Sequence, residues 1–298
     1  MRDVDVFLTL ADELHFGRTA ERLHLSQARV SQVVRKLERA IGAALFERTT
    51  RTVHLTPIGH RLREDLSHAR ELFHAATERA RTAACGMRGP LRVGFLGAMA
   101  HEIRPLIEEF RSRHQNISVE LIESRLSDPL GPLRTNEVDA QILWLPVTES
   151  DVTVGPVMLT EGRVLAVPTG SCMADLDSVS WEELGGYRVV DLGHLAPPYW
   201  VESLTPRRTP AGRLIRRGPT ARTLQEVLAL IGEGQVVSPL HQHWTRYFPY
   251  PDITYLPIRD APTTQWALVW PTTGRNELVH AFADVVRELR PCRTVTPG

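Results

Sequence analysis

The chain has 298 residues, of which 42% are hydrophobic and 23% charged, a composition typical of a globular protein with two or three domains. Cys85, Cys172 and Cys292 lie far apart, and this spacing excludes both a disulfide framework and a cysteine-based metal site. The formal net charge is zero, but residues 1–89 carry 15 basic and 11 acidic side chains, whereas residues 90–298 carry 20 basic and 24 acidic ones. This division is typical of a basic, nucleic-acid-binding end on an acidic body.

The start of the chain bears on both compartment and structure. It runs directly into an acidic helical pattern rather than a signal peptide, and the sequence contains no apolar run long enough to span a bilayer. We therefore expect a cytoplasmic protein with no membrane partner. The pattern predicts a first helix over residues 3–14, with one apolar side formed by Phe7, Leu10, Ala11 and Leu14.

The next stretch, residues 16–42, contains two helical patterns separated by a very short break. Apolar residues at helical spacing define the second pattern: Val30, Val33, Val34, Leu37 and Ile41. Ser26 stands where an N-cap is expected, and Gly42 stands just past the end as a C-cap. A short helix, a tight turn and a longer amphipathic helix form the helix-turn-helix plan, in which the second helix enters the major groove of DNA.

The outward face of the second helix carries side chains that can hydrogen-bond base edges or phosphates: Gln27, Arg29, Ser31, Gln32, Arg35 and Lys36. A basic helix face is often only solvated, and the alternative is an ordinary surface hairpin of helices. Seven basic residues against two acidic ones between positions 22 and 51 favour the DNA-binding interpretation.

A basic hairpin is predicted directly after this helix. Residues 44–48 and 52–56 are interpreted as two short strands, joined by a tip of Thr49, Thr50 and Arg51. Such a hairpin is a wing that can contact phosphates or a flanking minor groove, and we expect Arg48, Thr49 and Arg51 to contribute there.

Residues 20–59 resemble the N-terminal domain of LysR-type transcriptional regulators. The matching pattern is A-x-x-L-x-x-S-Q-x-x-x-S, then L-F-x-R, then L-T-x-x-G, carried by Ala20, Leu23, Ser26, Gln27, Ser31, Leu45, Phe46, Arg48, Leu55, Thr56 and Gly59. The sequence departs from the family on the DNA-facing side, with Ala28 for a usual proline, Gln32 for a frequent arginine, and Arg29 for a small residue. The resemblance implies sequence-specific binding to double-stranded promoter DNA as a homodimer or homotetramer.

A long helix is predicted from Thr56-Pro57, because Thr is a good N-cap and Pro is favoured at the first helical position. Its apolar stripe recurs at threes and fours over about seven turns: Ile58, Leu62, Leu66, Ala69, Phe73, Ala76 and Ala80. We interpret it as a linker and dimerisation helix; the alternative is a helix packed only on its own chain. Gly86, Gly89 and Pro90 indicate a domain boundary.

From Leu91 onward, strands alternate with helices, which predicts an α/β domain with a largely parallel sheet. Strands are expected at 91–96, 117–122, 140–143, 163–167, 188–191, 235–237, 253–258 and 266–270. The phrases LRVGFLGAM, NEVDAQIL, RVLAVPTGS and LQEVLALIGEGQVVSPL resemble the two-lobed effector domain of the same family, which is similar to periplasmic solute-binding proteins.

The predicted fold is therefore multidomain. A winged helix-turn-helix domain is expected over residues 1–58, a linker helix over 59–89 and an effector-binding domain over 90–298. Within that domain, lobe I is expected at 90–161 and 266–298, and lobe II at 162–265.

A small-molecule effector is expected beyond the carboxyl ends of the strands, beside helix N-termini. This rule selects Ala98 and Met99 in the first lobe, and Thr223 and Ser238 in the second. Tyr199 and Trp200, in a proline-flanked loop, are candidate aromatic walls, with core or hinge packing as the alternative. Because Ala98 and Met99 offer no hydroxyl, we expect a fairly apolar effector whose polar group is held by the second lobe.

The sequence argues against catalysis. It has no nucleophile elbow, zinc-protease helix or phosphate-binding loop, so no catalytic residue, metal ligand or cofactor is predicted. His241 and His243 offer two imidazoles, a weak half of a metal site. The remaining alternative is an effector-independent, architectural DNA-binding protein.

Overall fold

The computed structural model describes residues 2–48, 53–84, 89–273, 276–289 and 294–295. The chain divides into two compact units, Met1–Met87 and Arg88–Gly298. In the part of the chain that is described, no helix has both the length and the apolar character needed to cross a membrane.

The first unit is a helical head followed by a small hairpin and a long helix. Its elements in chain order are α1 (Arg2–Glu13), α2 (Phe16–Arg22), α3 (Gln27–Ile41), β1 (Phe46–Arg48), β2 (Val53–Leu55) and α4 (Pro57–Ala84). The predicted caps of α3 are confirmed: the Ser26 hydroxyl accepts the backbone N–H of Arg29 at 3.2 Å, and Gly42 adopts a left-handed φ of 78°. These two caps set the length of the second helix.

The buried side of α3 and the start of α4 complete the core of this unit. Val30 and Val34 are fully buried in a cluster with residues of α1, and Leu62 and Leu66 pack against that cluster. A Cβ atom on Gly59 would lie only 2.2 Å from the Leu45 carbonyl oxygen, so α4 needs glycine there to approach the hairpin. The end of α4 is predicted near residues 86–90, of which residues 86–88 lie outside the described residues.

The second unit is an α/β domain with two lobes. Its elements in chain order are β3 (Leu91–Phe95), α5 (Met99–Glu102), α6 (Arg104–Arg113), β4 (Val119–Glu123), α7 (Gly131–Arg134), β5 (Ala140–Trp144), β6 (Val152–Glu161), β7 (Arg163–Pro168), a 3₁₀ helix (Trp181–Gly186), β8 (Arg188–Asp191), α8 (Pro198–Leu204), β9 (Arg216–Thr220), α9 (Leu224–Gly232), β10 (Ser238–His241), α10 (Trp244–Tyr247), β11 (Ile253–Pro257), β12 (Thr264–Pro271), α11 (Glu277–Leu289) and β13 (Thr294–Val295).

Lobe I is built on a six-stranded sheet of order β13-β6-β12-β5-β3-β4, and lobe II on a three-stranded sheet of order β10-β7-β11 with the pair β8-β9 beside it. The prediction of a largely parallel sheet is wrong for the three-stranded sheet, because β7 runs antiparallel to both neighbours. In lobe I, β3 is parallel to β4 and β5, whereas β12 is antiparallel to β5 and β6. Gly162 alone separates β6 from β7, so the chain passes between lobes in one residue.

Of the strand predicted at 235–237, only Val237 pairs, by a single parallel bridge with Val189, because Gln235 and Val236 follow directly on the turn that ends α9. The backbone N–H of Gln235 bonds the Leu230 carbonyl, and Gly234 has a left-handed φ of 72°. The strand β10 begins three residues later, at Ser238, and its Pro239 is tolerated because β10 lies at the edge of its sheet.

Several elements were not predicted, namely β6, α8, β9, α10 and β13. The strand β6 contains Gly155 and Pro156, residue types that are rare in strands, so the sequence pattern does not indicate a strand there. A Cβ atom on Gly155 would lie 2.1 Å from the Trp270 ring, so glycine is required at that position. Tyr199 and Trp200 were assigned to a loop, but they lie on α8, where Pro198 occupies the first helical turn.

We expect Ser26→Ala to destabilise α3 locally by about 1 kcal/mol, because the Arg29 amide loses its capping acceptor. Hydrogen exchange of the first turn of α3 should then accelerate about fivefold. Ser112→Ala is the matched control, since that exposed hydroxyl only bonds the Glu109 carbonyl within α6. Equal exchange rates in wild type and Ser26→Ala would contradict the assigned cap.

Candidate functional site

The outward face of α3 forms the first candidate surface. Gln27, Arg29, Gln32 and Arg35 are exposed, whereas Val30 on the opposite side is fully buried. Arg29 donates from Nη1 to Oε1 of Gln32 at 2.9 Å, so these two side chains are held together on the surface. The helix therefore presents a row of hydrogen-bonding groups to solvent from its first turn onward.

The remaining predicted residues of this surface differ in their surroundings. Ser31 is half-buried, and Lys36 is exposed and forms an ion pair with Asp3 through a 2.8 Å contact. Because Lys36 is exposed, its ion pair with Asp3 contributes little stability. Lys36 can therefore exchange Asp3 for another anion, such as a phosphate. Thr49 and Arg51 lie outside the described residues, as does the side chain of Arg48.

The hairpin is anchored to α3 by one carboxyl group. Glu38 Oε1 accepts the backbone N–H groups of Leu45 and Phe46 at 3.1 and 3.4 Å. Phe46 also packs its ring 5.6 Å from Phe7 of α1. The start of the wing is thus fixed relative to the basic helix face.

The second candidate site is the junction of the two lobes, where most of the predicted effector contacts turn out to be core residues. Ala98 and Met99 have no exposed surface and belong to the main apolar cluster of the second unit. Ser238 is 1% exposed, begins β10 instead of following a strand, and donates its hydroxyl to the Pro239 carbonyl. The proposed contacts of these three side chains with a ligand are therefore not supported by their positions.

Aromatic side chains of α8 join the lobes. Trp200 is buried, stacks on Trp144 with 3.6 Å between ring centroids, and donates from Nε1 to the Trp144 carbonyl. The alternative of core packing is thus correct for Trp200. Tyr199 is half-buried, and its hydroxyl accepts the Thr148 N–H at 3.1 Å and contacts Glu149.

Other contacts also join the two lobes. Ser127 donates its backbone N–H to the Arg222 carbonyl, next to Thr223, the half-buried N-cap of α9. At the rim, Glu102 of lobe I accepts both Arg246 Nη2 at 2.6 Å and the hydroxyl of Tyr247 at 2.8 Å.

A buried group of aromatic and charged side chains occupies the junction. We call it the hinge cluster; its members are Trp144, Glu161, Arg163, Trp200, His241, His243, Trp244 and Trp266. Glu161, the last residue of β6, accepts three hydrogen bonds: from the His243 backbone N–H at 2.6 Å, from His243 Nδ1 at 2.7 Å and from Trp266 Nε1 at 2.7 Å. Because the Glu161 carboxylate accepts this bond, a proton is present on His243 Nδ1.

Arg163 lies two residues further, at the start of β7. It donates from Nε to the Thr264 hydroxyl at 2.9 Å and from Nη1 to the Ser203 carbonyl. Burial lowers the pKa of its guanidinium to about 10, and the charge of Glu161 opposes that shift. Arg163 therefore remains charged at neutral pH, and its charge balances that of Glu161.

His241 lies at the centre of the cluster with no exposed surface. Its ring centroid is 4.7 Å from those of Trp144 and Trp266 and 5.1 Å from that of Trp244. Among the described residues, neither His241 nitrogen has a hydrogen-bond partner, nor do His243 Nε2 and Trp244 Nε1. Burial lowers the pKa of His241 well below its usual 6.5, and the charges of Arg163 and His243 lower it further.

The sequence His241-Gln242-His243 was interpreted as weak evidence for a metal site, and its importance was missed. The two imidazole centroids are 6.4 Å apart, and within the described ranges no group of three or more potential ligand side chains is placed to hold a metal ion. Gln242 instead bonds the connecting residue Gly162 twice, by its backbone N–H and by its Oε1. The sequence does contain one signal of burial: His241 follows an apolar residue, Leu240, and His243 precedes Trp244.

Two neighbouring cavities lie on lobe II away from the hinge cluster, with volumes of about 490 and 460 Å³. They share Pro168, Ser171 and Gly234 in their linings. Neither contains a predicted site residue.

Two family models match the chain. The model described as "Bacterial regulatory helix-turn-helix protein, lysR family" matches residues 1–60, and the model described as "LysR substrate binding domain" matches residues 85–291. These matches cover the basic helix face in the first unit and the hinge cluster in the second.

Individual relatives resemble the chain along most of its length. The HTH-type transcriptional regulator ShiR of Corynebacterium glutamicum is 29% identical over 264 residues, which cover 87% of this chain and 88% of ShiR. The crystal structure of CbnR, a LysR family transcriptional regulator, has a TM-score of 0.64 at 20% identity, covering 97% of this chain and 98% of CbnR. CbnR in complex with its target DNA has a TM-score of 0.61 at 20% identity, covering 96% and 98%. The likeness to CbnR is one of fold.

The neutral, buried His241 predicts acid sensitivity of the second unit. Because its folded-state pKa is lowered, the unfolded state binds the proton more readily, so stability is full above pH 6.5 and falls as the pH decreases below it. His241→Phe should reduce this slope by up to about 1.4 kcal/mol per pH unit. Tryptophan fluorescence during urea unfolding between pH 5 and 8 measures it, since every tryptophan of the chain lies in this unit.

His280→Phe is the matched control for that experiment. His280 is exposed on α11 and also lies beside a tryptophan, with its ring centroid 5.6 Å from Trp270. Its replacement should leave the slope unchanged. A wild-type slope retained by His241→Phe would show that His241 is not the titrating group.

Proposed function

Since this chain belongs to the LysR family of bacterial transcriptional regulators, we propose that it binds promoter DNA through α3 and its wing and adjusts that binding when a small molecule occupies the junction of the two lobes. The observation that carries the DNA-binding part is the exposed face of α3. Arg29, Gln32 and Arg35 are exposed on that face, while the two caps hold the helix at a length suited to a major groove.

The contacts of the second unit support the regulatory part. Residues of both lobes meet in the hinge cluster, and one residue, Gly162, connects β6 to β7. A molecule that binds the open and closed lobe arrangements with different affinity shifts the balance between them. The protein acts in this proposal as a regulator without catalytic activity, in the cytoplasm where promoters are accessible.

The long helix supports self-association. Ile58 and Phe73 on α4 are 46% and 52% exposed, respectively. Ala69 lies between them and Ala76 lies beyond Phe73, and both alanines are exposed as well. This apolar stripe is the proposed dimer seam, and dimers pair further through the second unit. Leu66 was predicted to lie in that seam, but it packs against the head of its own chain, so it is a poor probe of assembly.

The DNA-binding proposal predicts different effects for two residues of α3. Arg35→Ala should weaken binding to the intergenic DNA beside the gene, and reduce the log–log salt slope by about 0.9 for each copy that contacts phosphate. Gln27→Ala should instead change the ranking of operator variants, because Gln27 begins the helix that enters the groove. Fluorescence anisotropy at several salt concentrations measures both.

Arg104→Ala supplies the control for charge, since Arg104 is an exposed arginine of the second unit. It should leave the affinity and the salt slope at wild-type values. If Arg35→Ala keeps the wild-type slope and Gln27→Ala the wild-type ranking, the DNA-reading face has been assigned to the wrong side of α3.

The assembly proposal predicts that Ala69→Glu dissociates the dimer. A carboxylate without a partner is strongly unfavourable in an apolar seam, so the dimer should weaken on the order of 100-fold. Sedimentation velocity measures the change. His60→Glu, which adds the same charge at an exposed position of α4 on another side of the helix, should sediment as wild type; equal sedimentation of both variants would move the interface elsewhere.

A further inference from the structure

The hinge cluster contains an unusual number of buried nitrogen atoms without partners. In the described part of the chain these are both ring nitrogens of His241, Nε2 of His243 and Nε1 of Trp244, and all three side chains are at most 1% exposed. A buried polar group left unpaired is destabilising, and native proteins contain few of them. A cluster with four such atoms on three neighbouring rings therefore points to a ligand that supplies the missing hydrogen bonds.

The chemistry of these atoms defines the polar part of that ligand. Neutral His241 offers one donor and one acceptor, and Trp244 Nε1 offers a donor. His243 Nε2 adds a further polar atom without a partner among the described residues. Donors and acceptors are thus both present, which matches a hydroxyl group, since a hydroxyl both donates and accepts.

The charge of the cluster favours an uncharged ligand. Glu161 already accepts three hydrogen bonds and is balanced by Arg163, whose pKa stays near 10. The lowered pKa of His241 keeps that ring neutral near pH 7. A carboxylate would bring an unbalanced charge into a buried site, which is costly unless an imidazole takes up a proton.

The walls of the cluster favour an aromatic ligand. Trp144 and Trp266 of lobe I and Trp244 of lobe II surround His241 with ring centroids 4.7 to 5.1 Å away. These tryptophan rings pack on the His241 ring, so an aromatic ring that enters beside His241 meets stacked or edge-to-face partners. The three tryptophans belong to both lobes, so a ligand among them contacts both lobes.

Building on the regulatory function proposed above, we propose that the hinge cluster binds a small, uncharged aromatic alcohol of the phenol type. The aromatic ring lies between the tryptophans of the two lobes, and the hydroxyl pairs with His241 and with Trp244 Nε1. Entry of the ligand parts the lobes, which couples its binding to the state of the whole second unit.

The test uses three probes on the full-length protein: phenol, toluene without the hydroxyl, and benzoate with a carboxylate. Isothermal calorimetry, with tryptophan fluorescence excited at 295 nm as a second readout, should show phenol binding at least about tenfold more tightly than toluene, as one satisfied buried hydrogen bond predicts. Benzoate should bind more weakly than phenol. Equal affinities for phenol and toluene, tightest binding by benzoate with proton uptake, or no binding of phenol up to millimolar concentration would each overturn the proposal.

Variants connect the binding to the named atoms. His241→Phe keeps a ring but removes both nitrogens, so phenol affinity should fall about tenfold while toluene affinity stays unchanged. Trp244→Phe, which removes only the indole N–H donor, is the second variant if His241→Phe does not fold. His280→Phe should bind all three probes like wild type; a variant of the cluster that keeps wild-type preference for phenol contradicts the assigned site.

Promoter binding is measured in parallel, because it separates the two proposals. Wild-type protein that binds promoter DNA but does not distinguish the probes overturns the phenolic ligand and leaves the regulator intact. Protein that binds phenol through His241 but no promoter DNA overturns the proposed function instead.

Discussion

The buried carboxylate of Glu161 is the interaction on which the arrangement of the second unit depends. It lies at the last position of the strand that leaves lobe I, and it accepts two hydrogen bonds from His243 and one from Trp266. Removing these donors would leave a buried charge uncompensated, which is far more costly than losing an exposed ion pair. The relative position of β6, β12 and the start of α10 is therefore fixed at one carboxylate.

Three consecutive residues connect that carboxylate to the rest of the junction. His243 bonds Glu161. Gln242 donates its backbone N–H to the Gly162 carbonyl and accepts the Gly162 N–H at its Oε1. His241 contacts the tryptophans of lobe I. By contrast, Arg246 pairs with Glu102 at the rim, and the Arg246 side chain is 38% exposed. Such surface pairs contribute only about 0–1 kcal/mol to stability. The resistance of the lobes to separation therefore resides in the buried cluster and not in the rim.

The sequence predicted best where local chemistry decides the structure. Ser26 caps the start of α3 and Gly42 its end, as predicted, and α4 begins at Thr56 and Pro57. These predictions succeeded because caps and proline act on the neighbouring backbone alone. The prediction failed where distant partners decide. Gly155 is required by the Trp270 ring, and the burial of Trp200 depends on Trp144, 56 residues away. For the same reason no pattern could show that His241 and His243 meet Glu161.

The face of α3 illustrates how a family motif and an individual specificity coexist. Ser26 and Val30 serve the helix itself, one as its cap and one in the core. Arg29 and Gln32, two of the positions that depart from the family pattern, are joined by a hydrogen bond from the guanidinium to Gln32 Oε1. That bond engages one lone pair of the amide oxygen and holds the two side chains beside each other on the exposed face. In the proposed DNA complex, the remaining N–H donors of this pair would suit guanine, which presents acceptors at O6 and N7 in the major groove.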